Sequence, residues 1–265
     1  MSGLYNRDYN ILTDEEIAEK KRIDDEGGHV SGAIGRRNFL YKYPKAIRHN
    51  LMQFPNNYLD INLLKETEEL NRQCNEFEEL LNNDKITELH IKRFIQNNKY
   101  YHIPASIFSR YNFGHHEAAL FKEFSLGTNY KADYLLTGRA SGGWQFIYIE
   151  FENPYNNIVV GDGNFGDTIR KGLNQIDDWK TYLAANYSTI STEFEKNTSK
   201  DLPKEFTKYD ETRIHFAVVA GRRKDFENEK IRIQQRRLLS ERKITLLHYD
   251  NILDDARKLI GANTY

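Results

Sequence analysis

The sequence predicts an α/β fold: a mixed central sheet flanked by helices, behind a mainly helical N-terminal extension. Three observations carry that expectation. Residues 146–152, Phe-Ile-Tyr-Ile-Glu-Phe-Glu, alternate strictly and so form a strand with two distinct faces. Residues 168–186 set Ile169, Leu173, Ile176 and Leu183 at helical spacing. The apolar run from Ile214 to Ala220 then reads as a buried strand. Hairpin strands, a helix and a returning strand build a sheet with helices packed on it.

Residues 1–57 read as an irregular arm. A short helix opens at Thr13, where Thr-Asp-Glu-Glu forms a capping box, and closes before Gly27-Gly28. The stretch from Gly32 to Gly35 reads as flexible. Arg36, Arg37, Lys42, Lys45 and Arg48 interleave with Phe39, Tyr41 and Tyr43. That mixture suits a phosphate backbone, and equally an arm packed on a neighbouring subunit. Residues 59–82 read as one amphipathic helix, with Leu63, Leu70 and Phe77 every seven residues and Cys74 and Leu81 on the adjacent seam. The seam serves packing within the chain and a dimer contact alike. Residues 1–84 therefore form an accessory region, and 85–265 the main domain. In the latter, a helix at 85–98 puts Ile91 and Ile95 on the face of Glu88. Strands follow at 121–126, 131–136 and 145–152, then a Gly-rich loop from Gly161 to Gly166 and the helix at 168–186. The strand at 214–220, a basic helix at 228–240, a strand at 244–249 and a helix at 251–260 complete the order.

A chain of 265 residues can bury a substantial core. Its 38 basic residues against 39 acidic ones exclude a bulk cationic coat for nucleic acid, so any such contact is made by local patches. The single Cys74 excludes an internal disulfide framework and a Cys-rich zinc site, and suits a reducing compartment. No apolar run reaches the length of a membrane span, and the N-terminus has no signal-peptide core. The expectation is a soluble, cytoplasmic protein without a membrane partner.

The strand at 145–152 carries the chemistry. Ile147, Ile149 and Phe151 line one face; Phe146, Tyr148, Glu150 and Glu152 line the other. Two carboxylates at the end of a buried face carry a desolvation cost unless a cation or hydrogen bonds offset it. Asp133 sits in the preceding strand within an otherwise apolar run, so the hairpin offers several carboxylate oxygens to one point. Magnesium, a hard cation that takes oxygen ligands, suits that arrangement, and manganese is expected to substitute. On the helix, Gly172 permits close approach to the sheet, and Gln175 one turn on reaches towards its acidic end. His115-His116-Glu117 reads as a surface or capping group, because adjacent side chains diverge. Glu123 reads as a secondary acid near the site or, more plainly, as a cross-strand ion pair with Lys131. Arg222 and Arg223, with Arg232, Arg236, Arg237, Arg242 and Lys243, are the densest basic group. Such a run is ordinarily a solvated face.

The order Glu88 on a helix, Asp133 on a strand, Glu150-x-Glu152 on the next strand and Gln175 on a helix resembles the core of the PD-(D/E)xK nuclease superfamily. Within it the chain is most similar to the Shedu anti-phage nucleases. The matching stretches are Lys131–Leu136, Ile149–Pro154, Gln175–Trp179 with Tyr182, Leu183 and Asn186, Val218–Arg223 and Ile244–Asp250, in a resemblance covering roughly residues 85–260. It implies a restriction-endonuclease-like core and a magnesium-dependent endonuclease that cleaves or nicks DNA in defence against phage. By the same resemblance Asp133 and Glu150 hold the metal with the Phe151 carbonyl. Glu88 serves the outer metal shell, and Gln175 positions water or a phosphate oxygen. The chain departs from the pattern at Glu152, which takes the superfamily's lysine position and adds a metal ligand or a general base. Lys171, four residues before Gln175 on one helix face, restores the cation from another element. Arg222, Arg223, Arg232, Arg236 and Arg237 then flank the substrate groove and contact phosphates. A near-zero net charge argues for a homo-oligomer that aligns several basic patches. Two alternatives stay open: an inactive nuclease-fold scaffold binding nucleic acid or a partner protein, and RNA as substrate.

Overall fold

The computed structural model describes residues 3–25 and 32–265. The expected helix stop at Gly27-Gly28 lies outside those residues. Helices α1 (Asp14–Asp25), α2 (Gly32–Lys42) and α3 (Lys45–Asn50) open the chain. The capping box at α1 is present: the Glu16 amide donates to Thr13 Oγ1 and the Thr13 amide to a Glu16 carboxylate oxygen, at 3.3 and 3.0 Å. The Gly32–Gly35 stretch is helical rather than flexible, because α2 begins at Gly32. The basic arm is partly structural. Arg48 is buried and forks onto Asp60, which also meets the buried His49.

The helix expected over 59–82 is broken. A 3-10 turn at Ile61–Lys65 precedes Glu66, which leaves helical geometry, and α4 runs from Thr67 to Leu81. Leu70, Cys74, Phe77 and Leu81 are all buried on α4. Phe77 and Leu81 share a core with Leu4, Ile95, Leu120 and Ile147, so packing runs across residue 84 without interruption. Leu70 and Phe77 of the seam are thus covered by the same chain, while Leu63 is only half-buried.

Helix α5 (Glu88–Asn98) follows a capping box at Thr87, and a short α6 (His102–Ala105) leads into the sheet. Five strands, β1 (Glu117–Leu126), β2 (Tyr130–Ala140), β3 (Gly143–Phe151), β6 (Ile214–Val219) and β7 (Ile244–Leu247), lie side by side in that order. The first three are antiparallel, and β6 and β7 run parallel to β3. The sheet is therefore mixed, as the pattern predicts. Between β3 and β6 the glycine loop carries a two-residue hairpin, β4 (Val159–Val160) with β5 (Asn164–Phe165). Helix α7 (Asp167–Glu195) then spans the sheet and continues nine residues past the expected end, through a non-helical Asn186. Helices α8 (Glu229–Arg242) and α9 (Tyr249–Leu259) complete the chain.

Helices cover both sheet faces. Ile91 and Ile95 of α5 and Ile252 and Ala256 of α9 pack with Ile147, Ile149 and Phe151. Ile169, Ile176 and Trp179 of α7 and Ile231 of α8 pack on Phe146, Tyr148 and Val218. The β1–β2 ladder is interrupted where Glu123 adopts φ 49°, opposite Asp133. Glu123 is exposed and makes no ion pair with Lys131, whose strand partner is Ser125. No helix among the described residues is long and apolar enough to cross a membrane.

Candidate active site

The acidic residues meet where β3 ends between β2 and β6. Strand β3 is regular to Phe151, with Phe146 and Tyr148 in the core beneath α7, so alternation carries Glu150 to the α7 side. Glu152 lies one residue past the strand. Its amide donates to the Val219 carbonyl at 2.8 Å, and its own carbonyl accepts from the Tyr249 hydroxyl at 2.7 Å. Those bonds hold the residue in line, and its side chain turns to α7. Gly172 makes this approach possible: a Cβ there would stand 2.8 Å from Val218 Cγ1 and 3.1 Å from Glu152 Cγ. Asp133 enters from β2 and accepts the Phe151 amide at 2.9 Å, so the last amide of β3 is satisfied by a side chain rather than by the ladder.

Asp133, Glu150 and Glu152 are 9%, 6% and 2% exposed, burial that carboxylates tolerate only with partners. Two lysines supply them. Lys92 on α5 places Nζ 2.8 Å from Asp133 Oδ1, and Lys171 on α7 places Nζ 3.0 Å from Glu152 Oε2. Glu150 Oε2 and Glu152 Oε1 remain buried without a hydrogen-bond partner. Burial pushes Glu150 up to about 9, and the neighbouring Asp133 and Glu152 charges add to the rise, against Lys92 and Lys171. Burial also raises Asp133, opposed by Lys92 and the Phe151 amide, and raises Glu152, opposed by Lys171. Burial pulls both lysines down, yet their carboxylate partners outweigh it and both end above the usual lysine range.

Glu88 is half-buried at the start of α5, and its charge bears on Asp133, Glu152, Lys92 and Lys171. Gln175 is half-buried one turn beyond Lys171 and makes no hydrogen bond among the described residues. Lys92 was not singled out from the sequence. Its signal is the spacing Glu88 to Lys92, four residues on one helix face, which turns both towards the strand carrying Asp133.

Oxygen donors alone converge here, two of them buried and unpartnered, which fits a hard divalent cation better than a soft one. As arranged with the lysines in place, no three His, Cys, Asp or Glu side chains among the described residues close around a single metal position.

The arginines separate into different environments. Arg222 forks onto Asp250 at 2.8 and 3.0 Å and also donates to the Leu81 carbonyl and the Tyr155 hydroxyl, so its guanidinium is engaged within the chain. Arg223 pairs with Asp254 at 2.7 Å, Arg236 with Glu229 at 2.9 Å, and Arg232 donates to the Phe226 carbonyl at 3.0 Å. Arg237 is exposed, with no side-chain partner among the described residues. Arg223, Lys224 and Tyr155 border a groove of about 450 Å³ beside Asp250, one residue from the tyrosine that holds Glu152. His115 and His116 lie ring against ring at 4.6 Å, beside Arg36 and Arg37 in a separate pocket.

The protein-family model described as "Shedu protein SduA, C-terminal" matches residues 85–253, which include the three carboxylates, both lysines and most of the groove's lining. The chain belongs to the Shedu family. Membership points to anti-phage defence. The match begins just before α5 and ends inside α9, so α4 stands outside it while sharing the domain's core. No curated protein matched the chain.

Proposed function

We propose that this Shedu domain is a divalent-cation-dependent endonuclease with a restriction-endonuclease-like core, cutting or nicking DNA in defence against phage. The observation that carries the reading is the set of three buried carboxylates at the end of β3, two of whose oxygens have no partner. Stable proteins rarely bury like charges this way for structure alone, and such groups concentrate where chemistry is done.

In this reading Asp133, Glu150 and Glu152 hold the cation. Magnesium, or manganese in its place, would supply a Lewis acid that makes water more acidic and offsets charge on the scissile phosphate. Lys171, 63% exposed at its side chain, can turn from Glu152 to a substrate phosphate and supply the cation lacking at position 152. Gln175 has free amide groups to orient water or a phosphate oxygen. Glu88 adds negative charge at the rim and aligns the two lysines. Arg223 and Lys224 in the groove, with Arg232, Arg236 and Arg237 on and beside α8, contact the backbone of the DNA. With a net charge of −1, one subunit neutralises few phosphates, so a homo-oligomer presenting several copies of these patches belongs to the same proposal.

The test is incubation of purified protein with supercoiled plasmid and magnesium. Nicking or linearisation that stops with EDTA, and is lost in Asp133→Asn, is the expected result. A folded protein that binds DNA but leaves it intact with magnesium and manganese would make this chain a scaffold. Cleavage of RNA but not DNA would keep the site and replace the substrate.

A further inference from the structure

The carboxylates come with a second, unlooked-for partner. Lys171 reaches Glu152 from α7. Lys92 approaches from the other side, on a different helix, and contacts Asp133, the residue with the fewest free oxygens. One Asp133 oxygen accepts Lys92 at 2.8 Å and the other accepts the Phe151 amide at 2.9 Å. A divalent ion cannot use Asp133 Oδ1 in full while an ammonium sits on it, because the two cations repel at that separation.

Lys92 is anchored for this position. It lies one turn after Glu88 on α5, whose Ile91 and Ile95 are fully buried against the sheet, so the helix cannot drift from Asp133. Its side chain is 25% exposed, which leaves it a path to solvent when displaced. Resting on the metal-dependent reading above, we propose that Lys92 is a placeholder for the divalent cation: it neutralises Asp133 in the resting protein and is displaced towards solvent when the metal binds. The resting site is thereby kept from collapsing or repelling itself apart, at the cost of weaker metal binding.

The direct readout is chemical. Reductive methylation of the intact wild-type protein, followed by peptide mass spectrometry, reports the reactivity of Lys92, with the more exposed Lys171 and a distant surface lysine, Lys196, as references. Calcium is the probe, because it occupies oxygen sites and commonly binds without supporting turnover. Calorimetry on the same sample shows whether it binds. The expected result is binding together with a several-fold rise in Lys92 labelling while Lys196 is unchanged. In parallel, Lys92→Met at pH 8 should bind calcium and manganese roughly five- to tenfold more tightly than wild type, since the ion no longer has to displace a charge-assisted hydrogen bond from Asp133. Calcium binding with unchanged or reduced Lys92 labelling would overturn the placeholder and leave the metal site standing. Absence of binding by calcium and manganese in the wild type would overturn both. Should Lys92→Met fold poorly, the labelling of the wild-type protein decides alone.

Discussion

Glu150→Gln should make the protein more stable in the absence of metal. The substitution keeps the side chain's size and removes its charge. Burial, with Asp133 and Glu152 nearby, lifts the folded carboxyl from 4.5 to about 9. The folded state thus binds a proton that the unfolded state releases above pH 4.5, and stability falls as pH rises from there to the folded value near 9. At pH 8 the full effect would be about 5 kcal/mol, from about 3.5 pH units at 1.36 kcal/mol each. The charge is shared with two other carboxylates and two lysines that rearrange, so about 1–3 kcal/mol is the working figure. Entropy of unfolding scales with length, so for 265 residues that is a rise of roughly 2–5 °C in Tm. Differential scanning fluorimetry of both proteins from pH 5 to pH 9 in EDTA measures it. The gap should be near zero at pH 5 and widen towards pH 9. Manganese should then stabilise the wild type and do little for the variant, because ligand binding to the folded state alone adds stability. A variant equal to or below wild type throughout would mean that Glu150 is not held in a charge-poor, crowded site.

Asp133→Asn and Glu152→Gln should each reduce plasmid nicking by on the order of 10²-fold or more with unchanged circular dichroism, as loss of a metal ligand does; near wild-type nicking by either would remove that residue from the site. Gly172→Ala should destabilise by roughly 1–3 kcal/mol, since its methyl meets Val218 at 2.8 Å in a packed interface; a denaturant melt matching wild type would show that α7 gives way freely. Arg237→Ala should weaken DNA binding and lower the slope of log affinity against log salt by about one, whereas Arg222→Ala, which leaves Asp250 with the Arg223 amide alone as a hydrogen-bond donor, should cost about 1–3 kcal/mol of stability; fluorescence anisotropy and melting separate the two, and an Arg222→Ala as stable as wild type would refute a structural part for Arg222.

Much of the frame was readable because it is local. The alternation through Phe151, the stripe on α7 and the apolar run of β6 are short-range patterns that sheet and helix geometry impose directly. What escaped notice depends on distant partners. Lys92 looks like any lysine on an amphipathic helix until Asp133, 41 residues later, folds beside it. Arg222 looks like the start of a basic run until Asp250 neutralises it. Asn186 resembles a helix end, since asparagine suits that position. In the structure it only kinks α7, because Tyr187, Ile190 and Phe194 continue the buried stripe. The break at Glu66 went unseen because Leu63 and Leu70 keep helical spacing across a 3-10 turn, which repeats nearly the same pattern.

The hydroxyl of Tyr249 on the Glu152 carbonyl ties the candidate site to a helix made after every acid in it. A ribosome that has made the first 175 residues has already supplied Asp133, Glu150, Glu152, Lys92, Lys171 and Gln175. The set is still incomplete: β3 lacks its parallel neighbour β6, and Glu152 lacks both the Val219 carbonyl and the tyrosine that starts α9. Long-range strand pairing of this kind closes only when its last partner emerges. Under the proposed function, the unfinished chain is harmless to the nucleic acid of the cell that makes it, and cutting power arrives all at once, with the final helix.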